Sequence, residues 1–202
     1  MGVPLISLRP ALAVLPIVLL LGCNKQPDEI APAPPASAPA PAVDPLRWAV
    51  PATWTVVDIP RSGPRKASYK VDKVGADKED ATVDVLFFGT GAKGDVERNF
   101  KEWYGQFDGD VGAAAKRERF PGEGGLEVDL VETSPSTFKV ALTPPVGPKK
   151  QSPVQMVKHG WRMRGAAVKT KDRGTWFFRM VGPDETVQAA RQAFRGLIES
   201  AR

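Results

Sequence analysis

The chain has 202 residues, of which 42% are hydrophobic, and it carries a formal net charge of +5 with one cysteine and one histidine. A single cysteine excludes an intramolecular disulfide, and a single histidine is evidence against a metal site built from clustered ligands. The charge is uneven, because residues 139–202 hold 13 basic and 4 acidic side chains. A basic stretch of this kind is typical of solvated surface, and it also suits an acidic partner such as a lipid headgroup.

The first 22 residues predict a cleavable secretory signal peptide. Arg9 precedes an apolar run from Ala11 to Leu21, and Gly22 is the small residue expected before a cleavage site. The apolar run is well short of the roughly 20 residues that a membrane-spanning helix needs. We therefore predict that residues 1–22 are removed.

The tetrapeptide Leu20-Leu21-Gly22-Cys23 resembles the lipobox of bacterial lipoproteins. In that family the cysteine thiol is diacylated, with palmitate among the acyl groups, and cleavage makes the cysteine the new N-terminus. The resemblance implies lipidation of Cys23, and Asn24 in place of aspartate implies the outer membrane, facing the periplasm, rather than the inner membrane. Nucleic acid is not expected as a partner there. The alternative is an ordinary signal peptide with a chance cysteine.

Residues 23–45 are rich in proline and alanine. Proline lacks a backbone N–H and has a fixed φ, so this stretch predicts neither sheet nor stable helix. It predicts a disordered, extended linker that reaches about 3.1 Å per residue. The linker would tether a lipidated Cys23 to a single globular domain, residues 46–202.

Apolar spacing within residues 46–202 predicts a series of strands. They are 46–50, 53–59, 66–74 and 81–88, followed later in the chain by 126–132, 163–168 and 175–181, and residues 138–142 either extend 126–132 or form a strand after it. In 126–132, Leu126 and Leu130 alternate with Glu127 and Asp129, which predicts a strand with one face in solvent. Four prolines in 143–153 predict an exposed loop.

Two stretches have the spacing of amphipathic helices. Their apolar stripes are Val96, Phe100, Trp103, Tyr104 and Phe107 in the first, and Val187, Ala190, Phe194, Leu197 and Ile198 in the second, which begins at Gly182-Pro183. With the strands, these helices predict an α+β fold. We expect a mostly antiparallel sheet of six or seven strands, packed by two main helices as an α/β/α sandwich.

The segment from Gly89 to Gly94 matches G-x-G-x-x-G between a strand and a helix. A dinucleotide loop would need a further apolar strand after the helix, and residues 113–119 show none. A phosphate-binding P-loop would need lysine where Asp95 stands. We therefore interpret the motif as a glycine turn and expect no cofactor. Three of its residues are candidate contacts for a ligand or an anion, namely Gly91, Lys93 and Gly94.

Several of these residues together resemble a family of uncharacterised bacterial lipoproteins that pair a proline-rich tether with one small domain. They are Arg65 to Val71, Gly94 with Val96 and Asn99, Trp103 with Gln106-Phe107, and Thr175-Trp176-Phe177-Phe178 with Gly182-Pro183. The order of elements is also similar to the PsbP-like α/β/α sandwich. The resemblance implies a fold and carries no activity, cofactor or catalytic residue.

No catalytic constellation is evident in the sequence. His159 is the sole histidine, and no nucleophile-elbow pattern surrounds a serine. We therefore expect a non-enzymatic, lipid-anchored module that binds an envelope protein or component. A small-molecule or anion site near Gly89 to Gly94 is the second hypothesis, and a hydrolase that uses two carboxylates is the third.

Overall fold

The computed structural model describes residues 45–91, 94–141 and 155–202, which belong to one compact unit. The predicted signal peptide, the lipidation site Cys23 and the linker up to residue 44 lie outside these ranges. Lys93 and the predicted loop 143–153 also lie outside them. No helix among the described residues is long and apolar enough to cross a membrane.

The described residues form one antiparallel sheet of eight strands. The strands are β1 (Thr55–Val56), β2 (Arg65–Val71), β3 (Ala81–Phe87), β4 (Lys116–Pro121), β5 (Glu127–Glu132), β6 (Ser136–Ala141), β7 (Gln155–Lys169) and β8 (Thr175–Pro183). The helices are α1 (Val96–Tyr104), α2 (Asp184–Ala189) and α3 (Arg191–Glu199). The strand order is β1-β2-β3-β8-β7-β5-β4, and β6 pairs with the first half of β7. The predicted α+β fold is confirmed, with a sheet slightly wider than expected.

Apolar side chains form a core on each face of the sheet. Helices α2 and α3 cover one face with Val187, Phe194 and Leu197, which pack over residues such as Phe178. Helix α1 covers part of the other face with Phe100 and Trp103, which pack with Phe177 and its neighbours. Adjacent residues of a strand point to opposite faces, so Phe177 and Phe178 serve different cores. Helices on both faces confirm the predicted α/β/α sandwich.

Helix α1 approaches the sheet closely at a glycine. A Cβ atom on Gly165 of β7 would lie 2.6 Å from Cζ3 of Trp103. The missing side chain leaves room for the indole ring, which meets Phe177 edge to face with ring centroids 6.0 Å apart. Glycine in this strand therefore sets the distance between α1 and the sheet.

The two ends of the domain differ from the prediction. Residues 46–50 are not a strand; Leu46 is buried, and Arg47 and Arg202 exchange two backbone hydrogen bonds of 2.9 Å. The predicted strand 53–59 is reduced to β1. The single C-terminal helix that was expected is divided at Ala190 into α2 and α3.

Strands β4 and β5 are the main correction to the sequence analysis. The stretch after α1 was expected to hold no apolar strand, and no strand was predicted there; it holds a charged one, Lys116–Pro121, which pairs with β5. Asp129 of β5 was expected in solvent but is only 4% exposed. It accepts hydrogen bonds from Arg117 Nε at 2.7 Å and Arg119 Nε at 3.1 Å. The alternating residues Val128 and Leu130 are buried as predicted, and ionic pairing with β4 buries the face that was expected in solvent.

A second ionic cluster lies beneath α2 and α3, around Glu132. Its carboxylate lies 2.7 Å from Arg162 NH1 and 3.0 Å from Arg164 NH1. Burial lowers the pKa of Arg164, although the charge of Glu132 opposes this. Nε of Arg164 is buried without a hydrogen-bond partner among the described residues. Glu132 is therefore the main counter-charge for a guanidinium inside the fold.

Candidate functional site

The described residues of the glycine motif, Gly89, Thr90, Gly91 and Gly94, follow β3. The N–H of Gly94 donates to the carbonyl of Gly91 over 3.0 Å, so the structure brings two of the three candidate residues together. Lys93 lies outside the described residues. Gly89 has a φ of 91°, and Gly174 of the β7–β8 turn has a φ of 76°, both in the left-handed region. A Cβ on Gly174 would lie 3.2 Å from the Gly89 carbonyl, so the two turns are packed together.

The N-terminus of α1 is already capped by a carboxylate. Asp95 accepts a 2.7 Å hydrogen bond from the N–H of Arg98. The Asn99 side chain donates to the Asp95 carbonyl over 2.6 Å. Because Asp95 adds negative charge at this point, the helix end is a poor place for a second anion. The candidate ligand contacts are therefore in the turn itself and in the cleft beside it.

That cleft has a volume of about 500 Å³, and we call it the tryptophan cleft. Its lining residues are Pro45, Lys66, Phe87, Gly89, Thr90, Arg173 and Trp176. The rings of Phe87 and Trp176 are stacked, with centroids 4.7 Å apart. The predicted loop thus contributes Gly89 and Thr90 to a cleft, whereas Gly91 and Gly94 shape the turn behind it.

A second cleft, of about 540 Å³, lies on the α1 face of the sheet, where strands β2 and β3 extend beyond the helix. We call it the sheet-face cleft. Its polar lining is Arg65, Lys73, Lys78, Glu79, Asp80, Thr82, Asp84 and Arg179, and its apolar lining is Phe138, Val140, Met156, Trp161 and Val181. The cleft combines a charged floor with one aromatic wall.

The floor is built around Asp84 and Arg179, which occupy neighbouring strands. Asp84, with a side chain only 7% exposed, accepts from Ser68 Oγ at 2.9 Å and lies 3.3 Å from Arg65 Nε. NH2 of Arg179 lies 3.6 Å from Asp84, and NH1 donates to Gln106 Oε1 over 2.9 Å. The guanidinium also lies 5.7 Å from the ring centroid of Trp103. The floor is therefore polar and largely fixed in position.

Arg179 is incompletely neutralised. Burial lowers its pKa, and the charge of Asp84 only partly opposes that effect. Its Nε is buried and has no hydrogen-bond partner in the described part of the chain. Arg65 faces the same carboxylate, so two guanidinium groups share one acid. The floor of the sheet-face cleft thus carries an excess of positive charge.

The wall and rim add apolar surface and further cations. The rings of Phe138 and Trp161 stack, with centroids 5.4 Å apart and planes 9° apart. Glu79 on the rim is paired with Lys158 at 2.6 Å. Within residues 45–91, 94–141 and 155–202, neither Lys73 nor Lys78 forms a side-chain ion pair. The cleft is therefore suited to a ligand with both acidic and apolar groups.

The acids of this cleft do not resemble a general-acid site. The N–H of Lys73 donates to Asp80 over 2.9 Å, and this hydrogen bond is the main cause of the lowered pKa of Asp80. A lowered pKa keeps a carboxylate ionised at neutral pH, whereas a general acid needs a raised one. Asp84 already accepts a hydrogen bond from Ser68 and is paired with Arg65 and Arg179.

His159 lies on the surface in β7, where Nδ1 is 3.1 Å from Thr137 Oγ1. The residues that the structure describes contain no group of three or more side chains suited to hold a metal ion. Among the described residues, the hydrogen-bonding neighbour of the His159 ring is therefore a threonine hydroxyl and not a carboxylate.

Asp84, Arg179 and Arg65 were not predicted as site residues from the sequence. A signal was present, because Asp84 interrupts the apolar residues of β3 and Arg179 interrupts the apolar residues of β8. A charged residue inside a central strand is costly unless it is paired. Two such residues of opposite charge predict an ion pair, provided that the strands are known to be neighbours. Strand order was the missing information.

Comparison with known proteins gives no further assignment. No protein-family model matches the chain, and no curated protein is significantly similar to it in sequence. The resemblance to lipoproteins and to the PsbP-like sandwich therefore stays a prediction from the residues themselves.

Proposed function

We propose that this chain is a lipid-anchored, non-enzymatic binding module of the bacterial envelope, and that its sheet-face cleft holds an acidic segment of an envelope protein. Cys23 is its proposed attachment to the periplasmic face of the outer membrane. The observation that carries the binding proposal is the excess positive charge of Arg65 and Arg179 in an open cleft with an aromatic wall.

The chemistry of the cleft favours a peptide segment over a simple ion. A carboxylate would lie against the arginines of the floor, in reach of charge-assisted hydrogen bonds. An adjacent apolar side chain would pack on the Phe138 and Trp161 rings, which a free inorganic anion cannot use. Lys73 and Lys78 on the rim would attract the acidic segment before it docks.

The binding proposal is tested with the full-length protein in nanodiscs of neutral phosphatidylcholine. The probe is a fluorescent peptide of alternating glutamate and tryptophan, compared with its lysine–tryptophan counterpart. The double variant Lys73→Glu/Lys78→Glu should weaken binding of the acidic peptide by at least roughly tenfold, because four units of charge change at the rim. The matched control Lys101→Glu/Lys116→Glu makes the same charge change on exposed residues outside the cleft.

Equal losses in the two double variants would overturn the proposal, since they would show a general effect of net charge. Equal binding of the acidic and basic peptides would also overturn it. Binding of anionic lipid vesicles, unaffected by the acidic peptide, would point to a membrane surface instead of a protein segment.

The anchor is tested separately in cells. Cys23→Ala should abolish incorporation of labelled palmitate and leave an unprocessed precursor. Labelling that persists in this variant would contradict the lipidation of Cys23, without bearing on the cleft.

A further inference from the structure

We infer that the tryptophan cleft is a second binding site, which takes a small amphiphilic anion: an apolar body that carries one carboxylate. This site goes beyond the proposed function, because it is lined by different residues from those of the sheet-face cleft. A volume of about 500 Å³ is within the usual range for small-molecule sites.

A β-bulge places the cation of this cleft. In the pairing of β2 with β3, Arg65 lies opposite Leu86 and Ala67 lies opposite Val85, so Lys66 is the extra residue. Bulges of this kind redirect a side chain and are common beside binding sites. Lys66 consequently lines the cleft next to Phe87. Its Nζ donates to the Gly63 carbonyl over 3.0 Å, and Arg173 from the β7–β8 turn adds a second positive side chain, whose Nε lies 3.8 Å from the Asp172 carboxylate.

Aromatic rings form the apolar part of the cleft. Phe87 stacks on Trp176, and Trp48 packs against Trp176 with ring centroids 5.9 Å apart. These rings are braced from behind, because Trp48 Nε1 donates to the Tyr69 hydroxyl over 2.8 Å. A preformed aromatic surface binds an apolar body at little cost in side-chain ordering.

Trp176, which lines the cleft, has an indole N–H without a partner in the described part of the fold. It is buried, and no acceptor for it exists among the residues that the structure describes. Buried donors are almost always paired, so an unpaired one calls for an explanation. Because this nitrogen is buried in the fold, a ligand acceptor atom would reach it only after a shift of the indole ring.

The walls of the cleft are rigid where the two glycine turns meet. Thr170 Oγ1 donates to the Gly174 carbonyl over 2.8 Å and accepts from the Arg173 N–H over 2.7 Å. These bonds fix the turn that presents Arg173. The packing of Gly174 against Gly89 then fixes the opposite wall. The cleft thus combines a positive rim, an aromatic surface and a fixed backbone, as an amphiphilic carboxylate requires.

The test uses the full-length protein in phosphatidylcholine nanodiscs, with empty nanodiscs as the reference for partitioning into lipid. The probes are 2-naphthoate and octanoate, each compared with its uncharged alcohol, and binding is followed by tryptophan fluorescence and saturation-transfer NMR. We expect one carboxylate to bind more tightly than its alcohol. Naphthoate as the better probe would identify an aromatic ligand, and octanoate would identify an acyl one.

Lys66→Gln should weaken binding of the carboxylate by roughly three- to tenfold and leave binding of the alcohol unchanged. Thr90→Trp, at an exposed lining position, should block both. Lys101→Gln is the matched control on α1 and should change neither. An equal effect of Lys66→Gln on acid and alcohol would overturn the inference, as would the absence of binding by both carboxylates at millimolar concentration.

The two proposals fail separately. Lys66→Gln should leave binding of the acidic peptide unchanged, and Lys73→Glu/Lys78→Glu should leave binding of the carboxylate unchanged. If either Lys66→Gln or Lys73→Glu/Lys78→Glu abolished binding of both the acidic peptide and the carboxylate, the two clefts would not be independent sites. This inference would then be wrong.

Discussion

The two faces of the sheet differ in how completely helices cover them. On one face α2 and α3 bury Phe194, Leu197 and Ile198 to 1% exposure or less. On the other face the nine-residue helix α1 covers only part of an eight-stranded sheet. The uncovered part carries Ser68, Asp84 and Arg179 in place of an apolar layer. The closed face therefore supplies stability, whereas the open face leaves room for a partner.

The largest expected effect comes from opening the closed face. Phe194→Ala should lower the free energy of unfolding by about 3–5 kcal/mol, because Phe194 is fully buried and its removal leaves a cavity. Trp161→Ala, on the wall of the sheet-face cleft, should lower it by less than about 2 kcal/mol, since this ring is only partly buried. Urea denaturation measures both. Equal losses would show that the two faces contribute equally to stability.

The ionic cluster beneath the closed face should be the next most sensitive feature. Glu132→Gln should lower the free energy of unfolding by about 3 kcal/mol, because it leaves the buried guanidinium of Arg164 without its main counter-charge. Glu79→Gln removes an exposed pair with Lys158 at the rim of the open face and should cost about 1 kcal/mol or less. A loss at Glu79 as large as that at Glu132 would contradict this difference.

Two glycines test how the helices contact the sheet. Gly165→Ala should lower the free energy of unfolding by about 1–3 kcal/mol, because the new methyl group meets the Trp103 ring. Gly196→Ala in α3 should raise it by about 0.5–1 kcal/mol, since no atom lies within 4 Å of the new Cβ. Thermal denaturation is sufficient to compare the signs of the two changes in stability. A stabilising Gly165→Ala would mean that α1 is free to move away from the sheet.

The smallest effect concerns acid sensitivity on the open face. Burial raises the pKa of Asp129, but hydrogen bonds from Arg117 and Arg119 and their charges outweigh it, so the pKa is lowered. A carboxyl with a lower pKa in the folded state stabilises the fold above its unfolded pKa of about 3.9. This contribution should be lost as the pH falls below about 4. Asp129→Asn should show a shallower loss of stability over that range, in denaturation curves measured between pH 5 and pH 2.

The fold was largely predictable because apolar residues recur at regular strand or helix spacing in its central elements. Val83 and Val85 in β3, and Phe100 and Trp103 in α1, are buried as their spacing indicates. β4 was not predictable from that signal, because its sequence is Lys-Arg-Glu-Arg-Phe-Pro. Its arginines are satisfied by Asp129 and Glu97. Hydropathy alone does not distinguish such a strand from an exposed loop.

Of the tryptophan cleft, only the glycine segment at its edge was predictable from the sequence. Glycine spacing indicated a turn at Gly89 to Gly94, and that turn does adjoin the tryptophan cleft. The remaining wall comes from Lys66, through a bulge, and from Trp176, more than 80 residues later in the chain. Both contributions depend on strand register and on which strands are neighbours. Local sequence carries neither piece of information, so the three-dimensional pairing was needed.

The backbone hydrogen bonds between Arg47 and Arg202 determine which contacts of the domain break first under a pulling force. Tension on the chain ahead of Leu46 would act first on these two bonds and on the bond from the Ala49 N–H to Ser200 Oγ. The buried side chain of Leu46 would resist next. The central strands would bear the tension only after these hydrogen bonds and the Leu46 contacts had broken. A pull on the chain ahead of Leu46 would therefore detach a short terminal segment before it loaded the central strands, and it would remove Pro45 and Trp48 from the tryptophan cleft while the sheet-face cleft stayed intact.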